Sequence, residues 1–195
     1  MIISVVKGLN VVIDWREEIP STHQYVIEGL KSGTLCAPYA IGADIQTQGI
    51  GSRGNCWIGE KGNLFFSVCV EEKHLPSDLP LASISIYFSA LTKQILEEKG
   101  SKVWLKWPND FYLEEKKVGG MITTKIGSHI VGSIGLNLVC APLEFGVLDI
   151  HITPKAIALL LVEAIEKKIS WKKVFSKYKI EFYKNEAFTF HLDGK

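Results

Sequence analysis

The tightest constraint on the fold lies between residues 103 and 138. Three apolar segments, 103–107, 118–124 and 129–138, follow one another with little chain between them. Parallel neighbours need a crossover of a dozen or more residues, so segments this close pair antiparallel. The first pair is joined by a charged excursion through Glu114, Glu115 and Lys116, the second around Gly127-Ser128. Further strands are expected at 1–6, 11–15 and 38–47, the first two separated by a Gly-Leu-Asn turn signal. Residues 64–70 (LFFSVCV) are almost continuously apolar, the pattern of a strand buried on both faces. No Gly-x-Gly-x-x-Gly opens a helix after a strand, which disfavours a Rossmann arrangement. The fold class is α+β: a mixed, largely antiparallel central sheet with helices packed on one side of it.

Four helices punctuate these strands. Ser21 or Thr22 can cap one over about 24–31, with Gly33 just beyond. Asp78 can cap a long helix whose core stripe is Leu81, Ile84, Phe88, Leu91 and Ile95, ended by Gly100. Thr153-Pro154 caps a third, which buries Ile157, Leu160, Leu161, Ala164 and Ile165. A fourth starts near Ser170 and should bury Val174, Phe175, Tyr178 and Phe182. Residues 187–195 alternate like a strand and end in the hairpin signal Asp193-Gly194. The expected domains are therefore 1–184 and, over 185–195, the start of a small β-domain, incomplete in this sequence.

Two stretches carry candidate chemistry. In Lys106-Trp107-Pro108-Asn109-Asp110 a strand stops at a proline, which cannot donate to a ladder, and turns on Asn109-Asp110. Lys117-Val118-Gly119-Gly120 then re-enters the sheet. Lys117 stands where a solvated tip meets an apolar run, so it is either a rim charge or a positioned cation. The second stretch, 48–62, holds five glycines and Arg53, and a regular element is not expected there. Glycine lets backbone N–H groups approach a ligand, so this is an anion cradle or a mobile surface loop. It lacks the Gly-Lys-Ser/Thr ending of a P-loop. Ser21 and Thr22 need no ligand to explain them, since helix capping suffices.

Composition narrows the partners. The 22 basic and 21 acidic residues nearly cancel to +1, against the basic excess of a broad nucleic-acid surface. Four scattered cysteines form no CxxC pair or zinc spacing and fit reduced thiols in a cytoplasmic protein. No apolar run approaches a membrane span, and the N-terminus lacks the pattern of a signal peptide.

Three features occur together: Ser21-Thr22 before His23, a glycine loop from Gln46 to Trp57, and Lys-Trp-Pro-Asn-Asp followed by Lys-Val-Gly-Gly. In order and content they resemble the biotin protein ligases (biotin–[acetyl-CoA-carboxylase] ligases), over about residues 15–140. The resemblance implies the catalytic domain of that family, similar in fold to class II aminoacyl-tRNA synthetases. It implies ATP-dependent activation of biotin to biotinyl-5′-AMP with release of pyrophosphate. Biotin then passes to a lysine of the biotin carboxyl carrier protein of acetyl-CoA carboxylase. The implied catalytic residues are Lys117, Asp110 and Arg53. Biotin would be bound by Ser21, Thr22, Gln46, Gly49, Arg53, Lys117, Gly119 and Gly120. The nucleotide would meet Arg53, Trp57, Asn109 and Asn137. ATP and Mg²⁺ are implied; Asp110 would orient the incoming lysine or, with the ATP phosphates, help hold the metal. The motifs begin by Ser21, so no DNA-binding domain and no DNA partner are expected; a monomer and a homodimer are both open.

The sequence departs from the family loop Gly-Arg-Gly-Arg-Arg-Gly-Arg at Ile50, Ser52 and Asn55, and from Ser-Thr-Asn at His23. Fewer arginines around a phosphate imply weaker retention of the adenylate. Alternative readings are a lipoate or octanoate ligase or transferase, and a biotin-binding module without catalysis. The five histidines, His23, His74, His129, His151 and His191, are scattered and none is assigned catalysis.

Overall fold

The computed structural model describes residues 2–6, 11–51 and 56–185. The expected turn at 8–10, Arg53 with Ser52 and Asn55, and the alternating segment from Ala187 lie outside the described residues. The strands are β1 (Ile2–Val6), β2 (Val11–Ile19), β3 (Tyr39–Ile50), β4 (Cys56–Gly59), β5 (Leu64–Glu71), β6 (Trp104–Lys106), β7 (Asp110–Leu113), β8 (Lys116–Ile126) and β9 (His129–Leu136). The helices are α1 (Thr22–Ser32), α2 (Ile84–Glu98), α3 (Pro154–Glu166) and α4 (Trp171–Asn185). Among the described residues the strands form one sheet in the order β1-β2-β3-β5-β9-β8-β7-β6, with β4 paired to β3. Only β2 and β3 run parallel, and α1 is the crossover between them. The mixed, largely antiparallel α+β class read from the sequence is the class observed.

The helices do not lie on one side, as expected, but on both. Ile41, Ala43, Cys69 and Val131 pack with Val26 of α1, whereas Ala40, Phe66, Val68 and Val70 join a larger core with α2, α3 and α4. The cause is in β5 itself, where every residue from Leu64 to Val70 is buried. A strand apolar on both faces must be covered on both, because each exposed apolar face would forfeit about 25 cal/mol per Å². The polar exception in that run, Ser67, becomes important below.

Three further expectations are corrected. Asp78 caps no helix beside it; its carboxylate accepts from Trp171 N and Lys172 N at 2.9 and 3.0 Å, so it caps α4 instead. Those two bonds hold its carboxyl below the usual carboxylate range. Leu81 is half exposed because Leu81–Ser83 forms a 3₁₀ turn before α2, and 3₁₀ periodicity rotates it off the helical stripe. On α4 the buried stripe is Val174, Tyr178 and Glu181, while Phe175 and Phe182 face outward. Glu181 tolerates burial because Leu105 N donates to it at 3.2 Å and Lys93 Nζ lies 3.3 Å away.

The glycine-rich stretch is also more regular than its composition suggests. β3 continues to Ile50, and β4 returns along it with Gly49 opposite Trp57. A Cβ on Gly59 would stand 2.4 Å from the Gln46 carbonyl oxygen. That glycine serves close strand approach rather than loop freedom.

Candidate functional site

α1 begins at the edge of a pocket. Ser21 is extended and buried, and its Oγ accepts from Gln24 N at 3.3 Å, the expected N-cap. Thr22 follows, and both its N–H and its Oγ donate to Gln46 Oε1, at 2.7 and 2.9 Å. The amide of Gln46 is thereby fixed, since only an acceptor can face a backbone N–H. Gln46 comes from β3, so the parallel β2–α1–β3 unit sets this side of the pocket.

β7 and β8 set the other side. Asp110 pairs with Gly120 and Phe111 with Gly119, but Tyr112 then pairs with Lys117. One residue on β7 is matched by two on β8, which is a β-bulge at Lys117-Val118. In an unbroken strand Lys117 would share a face with Met121, and Val118 with Gly120. The bulge reverses this. Val118 and Met121 both lie in the core with α2–α4, while Lys117 and Gly120 both line the pocket. Gly146 N bonds the Lys117 carbonyl at 2.8 Å and stitches the bulge to the segment after β9.

Lys117 Nζ lies 2.8 Å from Asp110 Oδ1, with both side chains about one-quarter exposed. Neither is a rim charge. A Cβ on Gly120 would stand 2.9 Å from Asp110 Oδ1 and 3.7 Å from Lys117 Nζ. Gly120 is therefore the floor beneath the ion pair. Gly120→Ala is expected to displace the pair and cut kcat/KM by about tenfold. The two side chains can move, so a melting temperature within a few degrees of wild type should accompany it. An unchanged kcat/KM would show that the pair's position is immaterial.

The pocket, about 470 Å³ including space open to solvent, is lined by Ser21, Thr22, His23, Gln46, Ile50, Gly51, Asp110, Lys117, Gly120, Met121, Ile122, Ser133, Ile134 and Gly135. Of the residues singled out in the sequence it gathers Ser21, Thr22, Gln46, Asp110, Lys117 and Gly120. Gly119 is not among them; its missing Cβ makes room for Leu136 and the Gly135 carbonyl on β9. Gly49 is buried on β3 opposite Trp57. Asn109 clamps β8, its Nδ2 donating to the Met121 carbonyl and its own carbonyl accepting from Met121 N at 3.0 Å. Asn137 is buried and donates to the Gly146 carbonyl at 3.0 Å. Arg53 lies outside the described residues.

A further polar group lies behind Thr22. Ser67 Oγ lies 2.9 Å from Thr22 Oγ1 and 2.7 Å from Ser133 Oγ, which is 2.7 Å from His23 Nδ1. Thr124 Oγ1 lies 3.2 Å from His23 Nε2. Burial lowers the His23 pKa, which favours the neutral ring. The available signal was a serine inside the apolar run 64–70, because a buried hydroxyl needs a partner.

No group of three or more His, Cys, Asp or Glu able to hold a metal occurs among the described residues. Asp110 is the one carboxylate among the described pocket residues. That donor set suits a Mg²⁺ carried in by phosphates and water, not a resident ion in a protein cage.

Residues 15–138 match the biotin/lipoate A/B protein ligase family. The bifunctional ligase/repressor BirA of Escherichia coli is 32% identical over 141 residues, which are 67% of this chain and 42% of the relative. The chain thus spans less than half the length of that relative. The biotin acetyl coenzyme A carboxylase synthetase of Helicobacter pylori, solved with bound biotinylated ATP, superposes with a TM-score of 0.87 at 40% identity. That match covers 92% of this chain and 85% of the other. The Leishmania major biotin protein ligase, solved with biotinyl-5-AMP, shares the fold at a TM-score of 0.78 and 22% identity, over 94% and 86% of the two chains. By a family match spanning both walls of the pocket, and by its likeness to the Helicobacter pylori enzyme, the chain belongs to the biotin/lipoate A/B protein ligase family, and within it to the biotin protein ligases.

Proposed function

We propose that this chain is an ATP-dependent biotin protein ligase. A biotin carboxylate oxygen attacks the α-phosphorus of ATP, the bond to pyrophosphate breaks, and biotinyl-5′-AMP forms. The amine of a carrier lysine then attacks the acyl carbon, AMP leaves, and the amine loses a proton. The carrier proposed is the biotin carboxyl carrier protein of acetyl-CoA carboxylase.

The observation that carries this reading is one pocket holding both a hydroxyl–amide group and a lysine–carboxylate pair. Ser21, Thr22 and Gln46 offer the neutral donors and acceptors suited to a ureido ring, which has one carbonyl and two N–H groups. Lys117 offers the cation needed where a carboxylate and a phosphate must approach. Asp110 holds that cation in place. When bound, Mg²⁺ would offset phosphate charge, with Asp110 and the phosphate oxygens holding it. Arg53, Trp57, Asn109 and Asn137 are proposed on the nucleotide side, Gly49 and Gly119 on the biotin side. The dithiolane ring of lipoate has no group to meet Gln46 and Thr22, which favours biotin over the lipoate alternative.

Biotin-dependent ATP–pyrophosphate exchange tests this directly. Exchange with biotin and little with lipoate is expected. Preference for lipoate, or absence of exchange with both, would overturn it.

A further inference from the structure

Ser67, Ser133 and His23 are buried polar groups from three elements, and the chemistry proposed above gives them no task. The chain of hydrogen bonds they form has a forced direction. Gln46 Oε1 can only accept, so Thr22 must donate its hydroxyl proton to it. With that proton committed, the 2.9 Å contact to Ser67 requires Ser67 to donate to Thr22. Ser133 must then donate to Ser67 across 2.7 Å. The 2.7 Å contact between Ser133 and the ring consequently requires a proton on His23 Nδ1. In a neutral ring Nε2 is then bare, and it accepts from Thr124 across 3.2 Å. Five elements, β8, α1, β9, β5 and β3, contribute to this one sequence of donors.

The order has a consequence at the pocket. Thr22 Oγ has spent its proton inward and accepted one bond, which leaves it a lone pair. The oxygen of Gln46 is taken twice, and among the described residues nothing takes its NH₂ group. The wall therefore offers an acceptor beside a donor pair, the complement of an N–H next to a carbonyl.

We infer that His23 is a positioning residue for ring recognition, anchoring an ordered donor chain that sets which hydrogen-bonding face Thr22 and Gln46 present to the substrate. The inference rests on the biotin reading above and deepens it. His23 touches none of the reacting atoms; it acts through Ser133, Ser67 and Thr22.

The test is pyrophosphate exchange with His23→Phe, which keeps a ring and removes both nitrogens. The KM for biotin should rise about tenfold, the scale of one lost hydrogen bond, with the KM for ATP within about twofold. His23→Asn restores a donor to Ser133 and should recover most of the biotin affinity. Thr22→Val should raise the biotin KM at least as much as His23→Phe. The double variant should be no worse than Thr22→Val alone, because residues in one network do not add. If the two effects add, or if folded His23→Phe keeps a wild-type biotin KM, the inference fails. Should His23→Phe not fold, Ser133→Ala breaks the same chain with a smaller change and carries the same expectation. Nitrogen-15 NMR of the free protein needs no substrate. It should show a protonated Nδ1 and a bare Nε2 in His23, and a protonated Nε2 would overturn the donor order. Absence of all exchange in the wild type would sink the function reading, and the ring tautomer would still judge the donor chain.

Discussion

Lys117→Ala is expected to slow biotin-dependent ATP–pyrophosphate exchange by about 10²–10³-fold, the cost of removing one fixed group that stabilises developing charge. Lys116→Ala should stay within about twofold. The two lysines are adjacent and equally charged, so the contrast isolates position from charge. Lys116 is exposed, and among the described residues its Nζ reaches the Leu143 carbonyl at 3.5 Å. Lys117 is turned into the pocket and held by Asp110 at 2.8 Å. Equal losses in the two variants would mean that only the net charge of the hairpin matters. Lys117→Arg should not rescue fully, since a planar fork does not replace a compact ammonium at a fitted site.

Phe111→Ala should be the most damaging core substitution near the site, costing about 3–5 kcal/mol. Phe111 is fully buried on β7, directly after Asp110 and opposite Gly119. A glycine facing a phenyl ring leaves the neighbouring strand with no side chain to fill the void that alanine would create. For a domain of this size that loss corresponds to a melting temperature lower by roughly 10 °C. Chemical denaturation without ligands checks it. A loss below about 1 kcal/mol would show that the void collapses. Pyrophosphate exchange should fall as well, because Asp110 is anchored by the same strand.

Legibility from the sequence followed the range of the interaction. The Ser21 cap and the Thr153-Pro154 start were readable because their partners sit three residues away. Asp78 was readable as a cap, but the helix it caps begins more than 90 residues later. The α4 stripe was misread because aromatic residues outrank a glutamate as core candidates. Only the fold reveals that Leu105 N and Lys93 satisfy Glu181. Covering of both sheet faces was implicit in residues 64–70, yet the short turns elsewhere suggested a one-sided sheet. Ser67, Ser133 and His23 are brought together by strand register, β5 against β9 with Ser67 opposite Ser133, and no local pattern encodes that.

The bulge at Lys117-Val118 separates two inheritances within one strand. Val118 and Met121 answer to the packing of the core; Lys117 and Gly120 answer to whatever enters the pocket. Pairing without the bulge, at the same chain length, would restore strict alternation and deliver the ammonium to the apolar side. Point substitutions at 114–116 leave that parity alone. The extra residue, more than the charges before it, is what keeps Lys117 in the pocket.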